Sequence, residues 1–280
     1  MPERVGRDGL GDPGAPGDLS AGWASPEVIG TIAAGAALAV AFTSWELRAR
    51  APMLPMRLFA IRGFSAGSAA IFLVNASTTG AVFFMAQFLQ VGLGQDPLGA
   101  GLRLLPWGVA PFLIAPRAGK LADRIGERPL VVSGLLLQAA GFAAITVAAA
   151  PGMAYPVMLA PMMISGAGLG LALPAVTKAV VGSVPPADIG KASGSFSMMR
   201  QLGGAFGVAI MAAVFTSAGG YTSAAAFSAG FAPAIAAAAG LALAGTIAGL
   251  ALPGRTPDAP AEPATPVHGA RTAEPAAAGR

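Results

Sequence analysis

The chain has 280 residues, of which 55% are hydrophobic and 11% are charged, against roughly 25% charged residues in an average soluble domain. Too few polar side chains remain to cover a water-exposed surface, so the composition excludes an ordinary soluble fold and indicates a protein embedded in a lipid bilayer. The absence of cysteine excludes disulfides and thiolate chemistry, and the lone His268 excludes a histidine-based metal site or catalytic dyad. The net charge of +4 does not indicate nucleic-acid binding, because the basic residues follow membrane topology.

Seven apolar stretches follow one another along the chain, each close to the ~20 residues that a membrane-crossing helix needs. They are predicted at residues 28–45, 64–90, 99–116, 130–150, 155–177, 193–217 and 227–252. The runs are too continuous for the alternating pattern of a barrel strand, and none contains Asp or Glu. The predicted fold class is therefore an all-α integral membrane protein with seven transmembrane helices.

The loops between these spans alternate in basic content. Ten Lys and Arg residues occur in loops 46–63, 117–129 and 178–192, whereas none occurs in loops 91–98, 151–154 and 218–226. By the positive-inside rule, the basic loops and the tail after Leu252 are predicted to be cytoplasmic and the N-terminus external. The expected location is the cell (inner) membrane, with multiple passes.

Both ends of the chain are poor in features that order a polypeptide. Residues 1–22 are rich in Gly, Pro and Asp, and residues 253–280 are rich in Ala and Pro, so neither end buries enough apolar surface to fold by itself. We predict a disordered external segment at 1–22 and a disordered cytoplasmic tail at 253–280. The apolar, proline-broken stretch 52–59 is too short to span and is predicted to lie along the cytoplasmic interface.

The most specific local pattern lies between the third and fourth predicted helices. It reads Gly119-Lys-Leu-Ala-Asp123-Arg124-Ile-Gly126-Glu127-Arg128, and its characteristic positions are Gly119, Asp123, Arg124, Gly126 and Arg128. Glycine permits close helix approach, and the acid and arginine can form charge-assisted bonds that hold helix ends in one of two arrangements. The pattern predicts a cytoplasmic gate motif; the alternative is a solvated charge cluster that only fixes topology.

This motif resembles the loop motif of the major facilitator superfamily, which recurs between the second and third helices of each six-helix half. Other stretches resemble that superfamily's fourteen-helix drug/proton antiporter branch. They are Gly22-Trp23-Ala-Ser-Pro26, Trp45-Glu46-Leu-Arg48, Pro52-Met-Leu-Pro55, Ala100-Gly101-Leu-Arg-Leu-Leu-Pro106 and Arg200-Gln201-Leu-Gly203-Gly204-Ala-Phe-Gly207. The resemblance covers about Gly22 to Leu252. Glu127 stands where the branch usually has a basic residue, and the branch's Gly/Pro antiporter motif, which lies in the N-terminal half, has no counterpart here.

The resemblance implies that the chain corresponds to helices eight to fourteen of such a transporter. Residues 23–63 would then hold a linker transmembrane helix and the interfacial segment, and residues 64–252 a six-helix C-terminal transporter bundle. It implies proton-coupled export of small amphipathic or drug-like molecules by alternating access, with the lipid bilayer and a small-molecule substrate as partners and no cofactor. Because two half-bundles rock around a shared midplane site, the chain is expected to be incomplete alone and to need a separately encoded N-terminal half or a second copy.

Polar side chains form a stripe on the second predicted helix, and the fifth carries methionines. At 100° per residue, four members of the stripe fall within an arc of about 60°, and a fifth lies about 60° further round. In that order they are Ser68, Asn75, Thr79, Gln90 and Gln87. The resemblance implies that both helices line a central cavity, which adds Met162 and Ser165 as candidates because flexible methionine suits a promiscuous apolar pocket. The alternative is packing and hydrogen bonding between adjacent helices.

Two arginines and three groups of glycines lie inside predicted spans. Arg103 is near the outer end of the third span, close enough to the interface to act as a plain anchor. Arg200, about eight residues into the sixth span, either extends to the interface or contacts the gate motif near Asp123. The glycines predict close helix packing rather than a nucleotide-binding loop, because they are surrounded by apolar residues. These glycines are the run 166–170 and the pairs Gly203/Gly207 and Gly245/Gly249.

Other classes of membrane protein fit the sequence less well. A retinal photoreceptor needs a Schiff-base lysine in its last helix, and residues 227–252 contain no Lys. An intramembrane enzyme would lack its ligands, because no acid falls inside a predicted span and the sole histidine lies in the tail. A non-transporting membrane scaffold that packs against a partner stays open as the alternative to a transporter.

Overall fold

The chain is helical in nearly every part that the computed structural model describes, namely residues 26–48, 56–149 and 155–254. Its long helices are α1 (Pro26–Arg48), α2 (Arg62–Gln87), α3 (Pro97–Ile125), α4 (Glu127–Ala148), α5 (Pro156–Gly182), α6 (Ile189–Ala218) and α7 (Ala224–Leu250). Short helical turns occur at Met56–Ala60, at Phe88–Gly92, where α2 continues as a π-helix, and at Pro186–Asp188. No β-strand occurs within the described ranges, in agreement with the predicted all-α class.

Six of these helices, α2 to α7, are long and apolar enough to cross a membrane. They confirm a multi-pass membrane fold. The first predicted span is also a helix, but the apolar part of α1 is the shorter stretch Ile29–Trp45, so its crossing stays a prediction. Residues Met1–Arg57 and Leu58–Arg280 form two separate units by their internal contacts. The predicted disordered ends lie outside the described residues, apart from 253 and 254.

Most of the helices are longer than the apolar spans predicted for them. Helix α3 ends at Ile125 rather than near residue 116, and α5 ends at Gly182 rather than near 177. Hydropathy marks the part of a helix that lies in hydrocarbon, whereas backbone hydrogen bonding continues into the interface, where long polar side chains reach water. The predicted loop 117–129 is consequently two helix ends, and several residues assigned to loops are helical.

The two helix ends meet at one glycine. Gly126 is both the residue that caps α3 and the residue that precedes α4, and its φ is +88°. Side chains with a β-carbon rarely adopt this backbone region, whereas glycine does so at little cost. The glycine therefore permits an abrupt turn that brings the end of α3 next to the start of α4.

The glycine run in α5 allows two neighbouring helices to approach closely on different sides. A methyl group on Gly168 would collide with the backbone of α4, whereas one on Gly166 or Gly170 would collide with the backbone of α3 at Trp107 or Pro111. Helix α5 thus packs between α3 and α4, and it does so through backbone rather than through long side chains. The packing predicted for this run is confirmed.

The glycines of α6 and α7 have the same role. A methyl group on Gly203 or Gly207 would overlap the carbonyl groups of Phe72 or Ala76 in α2. Gly245 and Gly249 of α7 lie against side chains of α4. Since these contacts recur one turn apart, they fix the distance between α2 and α6 at backbone-to-backbone range.

Burial is uneven among the membrane-length helices. Only 11% of the most apolar window of α3 and 28% of that of α6 are buried, against 44–56% in the other four. Large apolar side chains are correspondingly exposed, among them Phe112 on α3 (82%) and Phe206 on α6 (56%). Helices α3 and α6 therefore carry the largest apolar surfaces that the bundle itself leaves uncovered.

Candidate functional site

A lysine joins the two helix ends on either side of Gly126. Lys178 Nζ of α5 lies 2.5 Å from Asp123 Oδ1 at the end of α3 and 3.3 Å from Glu127 Oε1 at the start of α4. All three side chains are partly exposed, and ion pairs in such surroundings contribute only about 0–1 kcal/mol each. The cluster therefore links three helix ends while adding little to the stability of the bundle.

The gate motif predicted from sequence is only partly assembled around this lysine. Asp123 belongs to the cluster and Gly126 provides the turn, whereas Arg128 is exposed and a methyl group on Gly119 would meet no atom within 4 Å. Arg124 lies in the last turn of α3. Asp123 is paired with Lys178 rather than with Arg200 in the described structure, and coupling between this motif and the sixth span stays a prediction.

Lys178 is a member of this ion-pair cluster that the sequence interpretation missed. It was assigned to a cytoplasmic loop as a topology signal, yet it lies inside α5. Glu127 offered a signal, since an acid at a position that is usually basic in the resembling family calls for a new basic partner nearby. Helix α5, which packs against both α3 and α4, supplies that partner.

A polar cluster lies where α2 meets α6. Asn75 Nδ2 donates a hydrogen bond of 2.7 Å to the carbonyl oxygen of Arg200. A β-carbon on Gly204, one turn further along α6, would stand 3.1 Å from Asn75 Nδ2 and 3.3 Å from Thr79 Oγ1. Both polar side chains therefore contact α6 at a point where no side chain intervenes, and Thr79 is exposed.

The other members of the predicted stripe have separate surroundings. Ser68 is buried, and its Oγ has no hydrogen-bond partner among the described residues. Gln87 Oε1 accepts a 2.7 Å hydrogen bond from the hydroxyl of Tyr221. Gln90 lies in the π-helical turn, where the rotation per residue differs from 100°, and its amide donates to the carbonyl of Ala86 at 3.3 Å. The structure brings together Asn75 and Thr79 only.

The two candidates on the fifth span are buried among helices. Met162 lines a small apolar cleft with side chains of α2, α3 and α4, including Met85, Trp107 and Phe142. Ser165 is fully buried, and its hydroxyl donates to the carbonyl of Met162 at 3.0 Å. Ser165 therefore has its hydrogen bond within α5, as expected for a packing position.

Arg103 lies near the start of α3, where contacts with its own helix and with Tyr155 hold its side chain. Its guanidinium donates to the carbonyl of Gly99 at 3.3 Å and lies 5.5 Å from the centre of the Tyr155 ring. The Tyr155 hydroxyl donates to the carbonyl of Arg103 at 2.8 Å. Burial raises the pKa of the Tyr155 phenol, and the Arg103 charge opposes that rise. These contacts are those of an anchored arginine.

Arg200 has different surroundings from Arg103. Its side chain is exposed on α6, and its guanidinium forms no hydrogen bond or ion pair within the part of the chain that the structure describes. Only its backbone carbonyl is engaged, by Asn75. Among the described residues, the exposed side chain of Arg200 thus has no acidic partner, while its backbone lies beside Asn75.

Comparison with known proteins identifies the relatives of this sequence. The family model described as Major Facilitator Superfamily matches residues 67–275. The chain is 30% identical over 185 residues to a "Multidrug resistance protein B homolog" of Mycobacterium tuberculosis (strain H37Rv), covering 65% of this chain and 34% of that protein.

Two further relatives are similar at the same level. The chain is 32% identical over 191 residues to the "Multidrug efflux pump LfrA" of Mycolicibacterium smegmatis, covering 66% of this chain and 38% of that protein. It is 32% identical over 199 residues to the "Cephamycin export protein CmcT" of Amycolatopsis lactamdurans, covering 69% and 40%. The chain thus spans between about a third and two fifths of the length of these curated relatives.

Proposed function

Because the chain belongs to the major facilitator superfamily, we propose that it forms the C-terminal half of a transporter that exports small amphipathic or drug-like molecules by alternating access. The match over residues 67–275 carries this proposal. The relatives are named for multidrug resistance, multidrug efflux and cephamycin export, which favours export of small molecules over catalysis.

We propose that residues 64–252 are the transporter bundle and that residues 23–63 contain a linker helix. The bundle needs a partner, either a separate N-terminal half or a second copy. Two observations support a partner: the low burial of α3 and α6, and the share of 34–40% that the chain covers in its relatives. Two half-bundles around one midplane site are what alternating access requires.

The ion-pair cluster of Lys178 with Asp123 and Glu127 is proposed as the gate element. Opening one side of the bundle requires the ends of α3, α4 and α5 to move relative to one another, and the pairs must then break or exchange. Because each pair is worth only about 0–1 kcal/mol, such a cluster can distinguish two arrangements without locking either. The proposed orientation places this end in the cytoplasm and the N-terminus outside.

Proton coupling is proposed to depend on a carboxylate outside this chain. In the described bundle the Asp and Glu residues lie at helix ends: Asp123 and Glu127 contact Lys178 near the Gly126 turn, Asp96 caps α3, and the buried Asp188 directly precedes α6. Arginine keeps its proton in proteins, so Arg103 and Arg200 do not serve as proton carriers. The titratable group of a proton-coupled cycle would then belong to the partner half.

The test is to express the chain alone and together with the seven-helix N-terminal half of a relative, in a drug-sensitive host and in liposomes. Export of a drug that requires both halves and a proton gradient would support the proposal. Proton-gradient-dependent export by the chain alone would contradict the need for a partner. A stable complex of the two halves that never exports under either condition would favour a scaffold instead.

A further inference from the structure

The open face of α6 carries one positive charge far from the ends of the helix. Arg200 is the eighth residue of the predicted apolar span 193–217, which places it about 10 Å into that span at 1.5 Å per residue. An ionised side chain at such a depth is costly unless it meets an opposite charge, and such charges mark substrate paths more often than structural positions. Within the described ranges Arg200 meets no acid.

The side chains next to Arg200 add hydrogen-bond donors. Asn75 has two N–H groups, of which one is used on the Arg200 carbonyl, and the exposed hydroxyl of Thr79 lies beside Gly204. On α2, Asn75, Thr79 and Phe83 follow one another at intervals of four residues and so share one side of the helix. Phe83 is 45% exposed. Asn75, Thr79 and Phe83 therefore lie along one side of α2, where α2 meets α6 at Arg200 and Gly204; we call this surface, together with Arg200, the α2/α6 groove.

The same bundle offers no matching site for a cation. The Asp and Glu residues of the described bundle lie at helix ends: Asp123 and Glu127 contact Lys178 at the Gly126 turn, Asp96 caps α3, and Asp188 directly precedes α6. Helices α2 and α6 themselves contain no carboxylate that could neutralise a positively charged drug beside Arg200. The field of Arg200 instead raises the local concentration of anions and repels cations.

We propose that the α2/α6 groove binds the acidic group of an amphipathic small molecule, a carboxylate or a sulfonate, with Arg200 as the charged anchor. Asn75 and Thr79 donate hydrogen bonds to the same group, and the apolar body of the ligand lies along Phe83. This inference rests on the proposed export function and narrows it: the substrates are anionic rather than cationic amphiphiles. The planar guanidinium of arginine suits bidentate contact with a carboxylate.

The binding test uses the full chain in nanodiscs of zwitterionic phosphatidylcholine. Two fluorescent probes of matched shape and opposite charge, 9-anthracenecarboxylate and 9-(aminomethyl)anthracene, are titrated by anisotropy. The carboxylate is expected to bind at least about tenfold more tightly than the amine, and Arg200→Gln is expected to weaken the carboxylate by about tenfold to a hundredfold, the range for hydrogen bonds to charged groups. Thr79→Val should weaken it by a few fold.

Arg117→Gln is the matched control. Arg117 is an exposed arginine of α3 that bonds only to the carbonyl of Leu113 in its own helix, as far as the structure describes it. This variant removes the same charge from the chain and should leave the affinity for both probes unchanged. If it weakens the carboxylate as much as Arg200→Gln does, general electrostatics explains binding and the site is overturned.

Other outcomes decide between occupants of the groove. Equal binding of the two probes, or unchanged binding in Arg200→Gln, overturns the inference. Complete displacement of the carboxylate probe by phosphatidylglycerol in the nanodisc would assign Arg200 to a lipid headgroup. Loss of the complex with an N-terminal half in Arg200→Gln would assign it to a carboxylate of the partner, and either result overturns a substrate site.

The export assay separates this inference from the function on which it rests. If anion binding depends on Arg200 but no assembly exports a drug, the anion site is supported and the transporter function is contradicted. If the assembly exports anionic and cationic drugs equally, and Arg200→Gln does not change this export, the transporter function is supported and the anion site is contradicted. Selective loss of anion export in Arg200→Gln supports both.

Discussion

Two basic side chains of the bundle, Lys178 and Arg200, have opposite surroundings. Lys178 lies near a helix end and contacts two carboxylates, Asp123 and Glu127, which together exceed its own charge. Arg200 lies further along its helix, is exposed, and has no acidic partner within the described residues. The first charge is satisfied by the fold and holds helix ends together. The charge of Arg200 has no counter-charge among the described residues, so a counter-charge would have to come from another molecule or chain.

The difference shows how to separate structural from functional charges in a membrane bundle. A neutralised cluster at an interface costs little and can rearrange, because water is near and each pair is weak. An unneutralised charge deeper in a span is costly and persists where an external group compensates it. Arg103 resembles Lys178 in one respect only, since its side chain is engaged within the fold, by the Tyr155 ring and a carbonyl of its own helix.

The largest expected effect concerns which end of the bundle is cytoplasmic, and it is all-or-none. The sequence lacks native Cys, so single cysteines report accessibility cleanly. Arg128→Cys, beside the Gly126 turn, should react with a membrane-impermeant maleimide only after permeabilisation. Thr222→Cys, in the opposite connection, should react in intact cells. Arg128 is preferred to Gly126 because the positive φ of Gly126 would strain a cysteine. The reverse labelling pattern would move the gate cluster outside.

Sequence reasoning located the helices well and their ends less well. The hydropathy of spans such as 64–90 and 227–252 was sufficient to locate these helices, because a bilayer demands continuous apolar helices. The glycine spacing in α5 and α6 predicted close packing for the same reason, since only small residues let backbones approach. The predicted helix ends differ from the observed ones because a helix continues past the point where its residues stop being apolar.

The site was harder to predict because it depends on contacts between distant residues. Lys178 and Asp123 are 55 positions apart, and nothing local to either one specifies the other. The π-helical turn at Gln90 changes the rotation per residue, and no local sequence pattern indicated it. Asn75 and Thr79 were identified correctly as polar neighbours, but their contact with α6 requires Gly204 and the close approach fixed by Gly203 and Gly207.

The next effect in size tests that close approach. Gly207→Ala places a methyl group against the carbonyl of Ala76 and should destabilise the bundle by about 1–3 kcal/mol, as overpacking does. Gly194→Ala is the control in the same helix, because a methyl group there meets nothing within 4 Å; it should be neutral or slightly stabilising. Thermal unfolding in detergent measures both. Equal melting temperatures for the two variants would remove the basis for a fixed α2/α6 groove.

A smaller effect is expected at the gate cluster, in transport rather than in stability. Asp123→Asn removes the shorter contact of Lys178, worth at most about 1 kcal/mol, and should shift the balance of gate arrangements by about fivefold. Export by the two-half assembly should fall accordingly, with normal insertion and an almost unchanged melting temperature. Lys178→Met, which leaves two carboxylates facing each other, should affect export at least as strongly. Unchanged export at normal expression in both variants would assign the cluster to topology alone.

The smallest effect concerns the anchored arginine. Tyr155→Phe keeps the ring beneath Arg103 and removes only the hydroxyl that donates to the Arg103 carbonyl, so the free energy of unfolding should fall by about 0.5–1.5 kcal/mol.

Because burial raises the phenol pKa above 10.0, the hydroxyl's contribution is fully present below pH 10 and is lost only as pH rises through the folded value. The stability difference between Tyr155 and Phe should therefore be flat between about pH 6 and pH 9. Binding of the carboxylate probe should be unchanged, since Arg103 is already satisfied. A loss of probe binding in Tyr155→Phe would mean that Arg103 also serves the ligand, and the contrast with Arg200 would fail.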